Sequence, residues 1–161
     1  MKRKLILQIL LLTISIFFLS SCGQKYFYEK EITIHQGKWD RDSLIYFNIP
    51  ITDTISTYDI YLSITNGNEY LYRNIYLFVK IYFPQNITRI DTIDCLLAND
   101  KGKWFGKKID DNRFRNLLLY RKNIKFPFKG SYKFSFEQAM RHKILSGIYN
   151  IGLYIKKVEK P

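Results

Sequence analysis

Tyr58-Asp59-Ile60-Tyr61-Leu62-Ser63-Ile64-Thr65 puts Tyr58, Ile60, Leu62 and Ile64 at alternate positions, with mostly polar residues between them. A period of two marks a strand with one face on a core, because successive side chains leave a pleated backbone on opposite sides. Asn66-Gly67-Asn68 follows, and its residue types tolerate the positive φ of a turn. Alternation then resumes at Ile75, Leu77, Val79, Ile81 and Phe83, ending near Pro84. The other face of this second segment, Tyr76, Phe78, Lys80 and Tyr82, is also rather apolar, which predicts a central strand. Tyr132, Phe134 and Phe136 form a further alternating face, as do Tyr149, Ile151, Leu153 and Ile155. Weaker strand signals lie at 31–35, 44–51, 92–97 and 116–126.

Strands every ten residues or so leave no room for the crossover helices of a parallel sheet. The expected fold is all-β, a single antiparallel β-sandwich of jelly-roll-like type. One stretch breaks the pattern. Ser135-Phe136-Glu137-Gln138-Ala139-Met140-Arg141-His142 holds helix formers and no β-branched residue, which predicts one short helix near residues 136–143.

Outward from this body, the amino end has a different character. Lys2-Arg3-Lys4 precedes an apolar run from Leu5 to Leu19, and Leu19-Ser20-Ser21-Cys22 closes it. The run is shorter than the roughly 20 residues of a spanning helix and suits the apolar part of a secretory signal. Leu-Ser-Ser-Cys resembles the bacterial lipobox, which implies cleavage before Cys22 and acylation of that cysteine. The expected organisation is a signal peptide over 1–21, a lipidated tether over 22–26 and a β-sandwich domain over 27–158. At about 3.5 Å per residue the tether reaches about 15 Å, so the domain would sit near the headgroups. Several acyl chains, each methylene worth about 0.8 kcal/mol, would anchor it stably. Gly23 in place of Asp favours the outer membrane. The absence of an acidic cluster beside Cys22 favours a domain facing the periplasm.

The chain has 26 Lys and Arg against 14 Asp and Glu, a formal charge of +12. Loss of residues 1–21 removes three cations and no acid, leaving +9. Such a surface suits anionic lipid, acidic polysaccharide or acidic protein. An exported protein has no call for nucleic acid, and the scattered lysines also fit a simple compositional bias. Hydrophobic residues at 47% and aromatics at 17% argue against disorder. Of the two cysteines, Cys22 is expected to carry lipid, so Cys95 has no intramolecular partner and reads as a small buried apolar residue.

The catalytic inventory is thin. His35 and His142 lack Cys or His neighbours at metal-ligand spacing, and no phosphate loop or nucleophile elbow occurs. Asp110-Asp111, between Lys108 and Arg113, reads as a loop with local ion pairs, with a calcium ligand pair as the alternative. The expectation is a protein that is not an enzyme, with no metal, no cofactor besides the lipid at Cys22, and no small-molecule substrate. Loop aromatics admit two readings, closure of the core or contact with a partner or glycan. Both apply to Trp39 in Lys38-Trp39-Asp40, to Trp104 in Gly102-Lys103-Trp104-Phe105-Gly106, and to Tyr70 and Tyr72, which Arg73 follows.

These segments carry a resemblance. The run from Asn66 to Phe78, Asp91-Thr92, the run from Leu97 to Gly106, and Gly130-Ser131-Tyr132-Lys133-Phe134 resemble the GldH gliding-motility lipoproteins. Glu137-Gln138-Ala139-Met140-Arg141, Gly147-Ile148 and Ile151-Gly152-Leu153 complete the likeness, while Lys107-Lys108 departs from it. The resemblance implies an outer-membrane lipoprotein of the Bacteroidota, associated with gliding motility and the linked type IX secretion apparatus, with envelope proteins as partners and no assigned catalytic residue. It also raises O-glycosylation, which bacteria of this group direct to Asp-Ser/Thr before an aliphatic residue. Ser43, Thr54 and Thr92 occupy such sites, although Asp before a strand is also ordinary turn chemistry.

Overall fold

A computed structural model describes residues 26–158. The expected signal peptide, Cys22 and the tether up to Lys25 lie outside the described residues. Eleven strands run in chain order: β1 (Tyr28–Thr33), β2 (Lys38–Asp40), β3 (Ile45–Ile51), β4 (Tyr58–Gly67), β5 (Asn74–Tyr82), β6 (Thr88–Leu96), β7 (Lys107–Lys108), β8 (Arg113–Ile124), β9 (Gly130–Gln138), β10 (Ile144–Ser146) and β11 (Ile148–Lys157). One sheet has the order β1-β11-β4-β8-β7 and faces another of order β3-β9-β5-β6, while β2 and β10 pair as a small ribbon. Every pairing is antiparallel, so the expected sandwich is the fold found.

Register explains the core. Ile45, Phe47 and Ile49 of β3 lie opposite Phe136, Phe134 and Tyr132 of β9. Ile60, Leu62 and Ile64 of β4 lie opposite Ile155, Leu153 and Ile151 of β11. All are buried in one cluster that fills the space between the sheets. Removing each such side chain from water contributes about 1.5–3 kcal/mol. Among the described residues the cluster runs from Ile34 to Ile155. Pro50 fits β3 because β3 is an edge strand and the proline lies on its outer face.

Two expectations need correction. No helix forms over residues 136–143. Instead β9 continues to Gln138, which extends the inward series Tyr132, Phe134, Phe136 by one buried residue. The Gln138 side chain then holds the next segment: Nε2 donates to the carbonyls of His142 (2.9 Å) and Lys143 (3.1 Å), and Oε1 accepts from the Met140 amide (3.0 Å). This one side-chain amide thus satisfies three backbone groups of the segment after β9. The helical element observed is a 3-10 turn at His35–Gly37.

The second correction concerns Asn66-Gly67-Asn68. A turn does follow, at Asn68–Glu69, where the Tyr70 amide donates to Gly67 O (3.2 Å), but residues 66 and 67 extend β4, none of the three has positive φ, and β4 and β5 belong to different sheets. The segment after Gly67 therefore crosses from one sheet to the other. The inference that β5 is central holds, since β5 lies between β9 and β6. Its outer face is nonetheless open to solvent at Tyr76 and Phe78.

Candidate functional site

The crossing between β4 and β5, the loop 97–106, the turn before β8 and the segment 139–147 meet at one end of the sandwich. Asn68 N donates to Asn112 O (2.9 Å), and the Leu97 and Ala98 amides both donate to Arg73 O (2.7 and 2.9 Å). Gly147 permits the closest approach. It has φ +88, and a Cβ there would stand 2.8 Å from the Tyr70 backbone.

A series of rings spans this end. His142 packs against Tyr72 (6.1 Å between centroids), Tyr72 against Tyr70 (5.7 Å), Tyr70 against Trp104 (6.3 Å) and Trp104 against Phe114 (6.1 Å). Such pairs contribute about 0.5–1.5 kcal/mol each beyond burial. Tyr70 is the buried centre. Its hydroxyl donates to Asn74 O at 2.8 Å, and burial first, then Tyr72 and Cys95, raises its phenol well above the usual tyrosine range. Trp104 is half-buried and donates Nε1–H to Asn68 Oδ1 at 3.2 Å. An Asx turn builds its loop: Asn99 Oδ1 accepts from Lys101 N (3.0 Å) and Lys103 N (2.9 Å), and Gly102 takes φ +76. Trp104 then turns inward and Phe105 outward, 58% exposed.

Of the residues singled out from sequence, Trp39 is core. It is 1% exposed and donates Nε1–H to Ser43 O at 2.9 Å, so it offers no ligand face, and the contact reading is corrected there by burial. The same holds for Tyr70. Tyr72 is half-buried, and Arg73 is exposed in an ion pair with Asp100 that contributes little in solvent. Sequence reasoning passed over the most exposed apolar groups here, Leu71 at 86% and Phe105. It also passed over a shallow hollow of about 500 Å³ lined by Tyr72, Tyr76, Met140 and His142. The apolar outer face of β5 was the available signal. Lys133 Nζ stands over Tyr82 (4.4 Å) and Tyr46 (5.2 Å) on the same outer surface.

The remaining candidate chemistry is structural. Asp110 accepts from the Asn112 and Arg113 amides and pairs with the Arg113 guanidinium, and Asp111 pairs with Lys108, as the local ion-pair reading expects. Burial and the charge of Asp94 push the free Cys95 thiol up to about 12, which leaves it inert at neutral pH. Among the described residues no group of three His, Cys, Asp or Glu side chains is placed to hold a metal. Also among them, no helix is long and apolar enough to cross a membrane. Ser43 and Thr92 are exposed and Thr54 is half-buried.

The described residues begin at the other end. Phe27 N donates to Ile155 O (2.7 Å), Phe27 packs on Tyr58 at the start of β4, and Tyr26 meets Tyr154 edge-on at 5.1 Å. β4 runs ten residues from there to Gly67. At about 3.3 Å per residue the aromatic end lies about 30 Å away.

A Christiangramia forsetii protein named "Gliding motility lipoprotein GldH homolog" is 35% identical over 150 residues, covering 89% of this chain and 91% of that protein. The Flavobacterium johnsoniae "Gliding motility lipoprotein GldH" is 28% identical over 154 residues, covering 91% and 94%. Among solved structures, the infectious bursal disease virus VP2 subviral particle aligns with TM-score 0.35 and 15% identity over 83% of this chain, which spans about a third of that chain. The profile described as GldH lipoprotein matches residues 26–155, and the chain belongs to that family.

Proposed function

We propose that this chain is a non-enzymatic lipoprotein of the cell envelope, held in the outer membrane by lipid on Cys22 with its domain facing the periplasm. In this reading it serves the gliding-motility and linked type IX secretion machinery by docking envelope proteins at its aromatic end. The names of its two relatives support the association with gliding motility. The observation that carries the docking role is the opposition of the two ends: Phe27, at the start of the described residues, packs beside Tyr58, whereas Leu71 and Phe105 are displayed across the length of β4. A lipid anchor at the first end would hold the second away from the bilayer.

The test is labelling with palmitate in the host, together with photo-crosslinkers placed at Leu71, at Phe105 and, as control, at Ile55 near the chain's start. The expected result is label that is lost in Cys22→Ser, and envelope-protein adducts from 71 and 105 but not from 55. An unlabelled protein refutes the anchor, and adducts absent or equal at all three positions refute the docking end.

A second reading, glycan binding, is favoured by the hollow beside Tyr72 and Tyr76. It no longer has Trp39, which is buried. A glycan array with Trp104→Ala, Tyr72→Ala and Tyr76→Ala decides it. Binding that is absent, or indifferent to all three changes, removes this reading.

A further inference from the structure

Near the end where the described residues begin, a cleft of about 380 Å³ opens between the sheets. That volume falls in the range of small-molecule sites. Its walls are apolar: Ile60 of β4, Ile81 of β5, Phe83, Phe126 and Phe134 of β9. Three cations, Arg89, Arg121 and Lys125, stand at the same cleft with one acid, Asp91. Asp91 is already engaged, since the Tyr120 hydroxyl and Arg121 Nη2 both donate to its Oδ2. This contact ties β6 to β8 and closes one side of the sandwich. Arg121 keeps further N–H donors, because a guanidinium has five. Arg89 lies over the Phe83 ring at 5.5 Å. Among the described residues neither Arg89 nor Lys125 forms an ion pair.

An apolar slot with surplus positive charge at its margin matches one kind of molecule. We propose that this cleft binds an anionic amphiphile, its hydrocarbon chain among Ile60, Phe83 and Phe134 and its carboxylate or phosphate against Arg89, Arg121 and Lys125. The apolar walls supply affinity in proportion to the chain buried. The cations select the charged head by charge-assisted hydrogen bonds. A free fatty acid and a single-chain phospholipid share this chemistry. The proposal does not depend on acylation of Cys22.

The test uses the chain from Gly23, which includes the whole core and omits the apolar amino-terminal run. Fluorescent cis-parinaric acid is titrated in, then displaced by laurate, by lysophosphatidylglycerol or by dodecanol as the uncharged counterpart. The expected result is saturable binding at one site, with dodecanol at least tenfold weaker than laurate. Arg89→Gln combined with Lys125→Gln should weaken laurate at least tenfold while circular dichroism shows the β fold retained, since both side chains are exposed. Tighter displacement by laurate identifies a fatty-acid site, and by the lysophospholipid a membrane-lipid site. Non-saturable binding overturns the proposal, as do equal affinities for laurate and dodecanol or an unaltered double variant.

Discussion

The Glu31 side chain lies across Gly152: a Cβ at position 152 would stand 2.7 Å from Glu31 Cγ and 3.0 Å from Ser63 Cβ. The glycine lets the carboxylate reach three donors, Ser63 Oγ (2.9 Å), Tyr154 OH (2.7 Å) and Arg115 Nη2 (3.2 Å). This fastens β1 over β11 and β4. Gly152→Val should push Glu31 aside and leave the buried Ser63 and Tyr154 hydroxyls unpaired, costing about 1–3 kcal/mol. Urea unfolding measures the loss. Glu31→Gln, which keeps an acceptor, should cost less.

Gln138 organises the segment after β9 through three hydrogen bonds to backbone groups of Met140, His142 and Lys143. Gln138→Ala should destabilise the fold by about 1–3 kcal/mol, with exchange of the Met140 amide accelerated more than that of β4 amides. Hydrogen exchange read by mass spectrometry resolves the two regions.

Trp39 of β2 and Phe105 of the 97–106 loop should separate stability from recognition. Trp39→Ala empties a buried site and should cost about 3–5 kcal/mol. Phe105→Ala removes an exposed ring and should change stability by less than about 0.5 kcal/mol while reducing adduct formation at the aromatic end. Thermal melts and the crosslinking assay read the two effects independently.

Stability should fall at both pH extremes for opposite reasons. Burial, aided by Asp91 for Tyr120 and by Glu31 for Tyr154, raises these phenols and that of Tyr70 above the ordinary value. Their contribution is complete below about pH 10 and is lost as pH climbs through the raised folded values. Absorbance at 295 nm should show these three ionising only with unfolding. On the acid side, burial raises the Asp91 carboxyl, but hydrogen bonds from Tyr120 and Arg121 outweigh it and hold the group low. Hydrogen bonds from Ser56, then Lys157, hold Asp53 lower still. Both contribute above about pH 4 and lose that contribution as pH drops through the folded values. Urea midpoints across pH 2–11 test both limbs.

Glycosylation at Ser43, Thr54 and Thr92 is a separate proposal. A glycan at exposed Thr92, opposite Phe78 on β5, would cover part of the outer face of that sheet. Intact mass of the protein from its native host should show hexose-scale increments that disappear in Ser43→Ala, Thr54→Val and Thr92→Val. An unmodified mass refutes the proposal.

Strand identity was legible wherever a face alternated without interruption. β4 shows this best, with Tyr58, Ile60, Leu62 and Ile64 all buried, whereas β3, read only as a weaker signal, alternates just as regularly between buried and exposed residues. The short helix was misread because Gln138 is polar and hid the last inward position of β9. Propensity for residues 139–142 carried no trace of the hydrogen bonds that this amide would make. Trp39 and Trp104 look alike beside their turns, yet one is sealed in and the other half-buried. Only the packing around each separates them.

Period-two alternation settled the all-β class and most inward residues, because pleating and burial act within a few positions along the chain. Sheet membership was a different matter. β4 and β5 are consecutive and look like a hairpin, yet β4 pairs with β11 and β8 while β5 pairs with β9 and β6. Those partners are chosen by contacts between distant segments, which leave no local mark. The same long-range pairing put the start of β1 at one end and the aromatic rings at the other, and gathered Arg89, Arg121 and Lys125 around one apolar cleft.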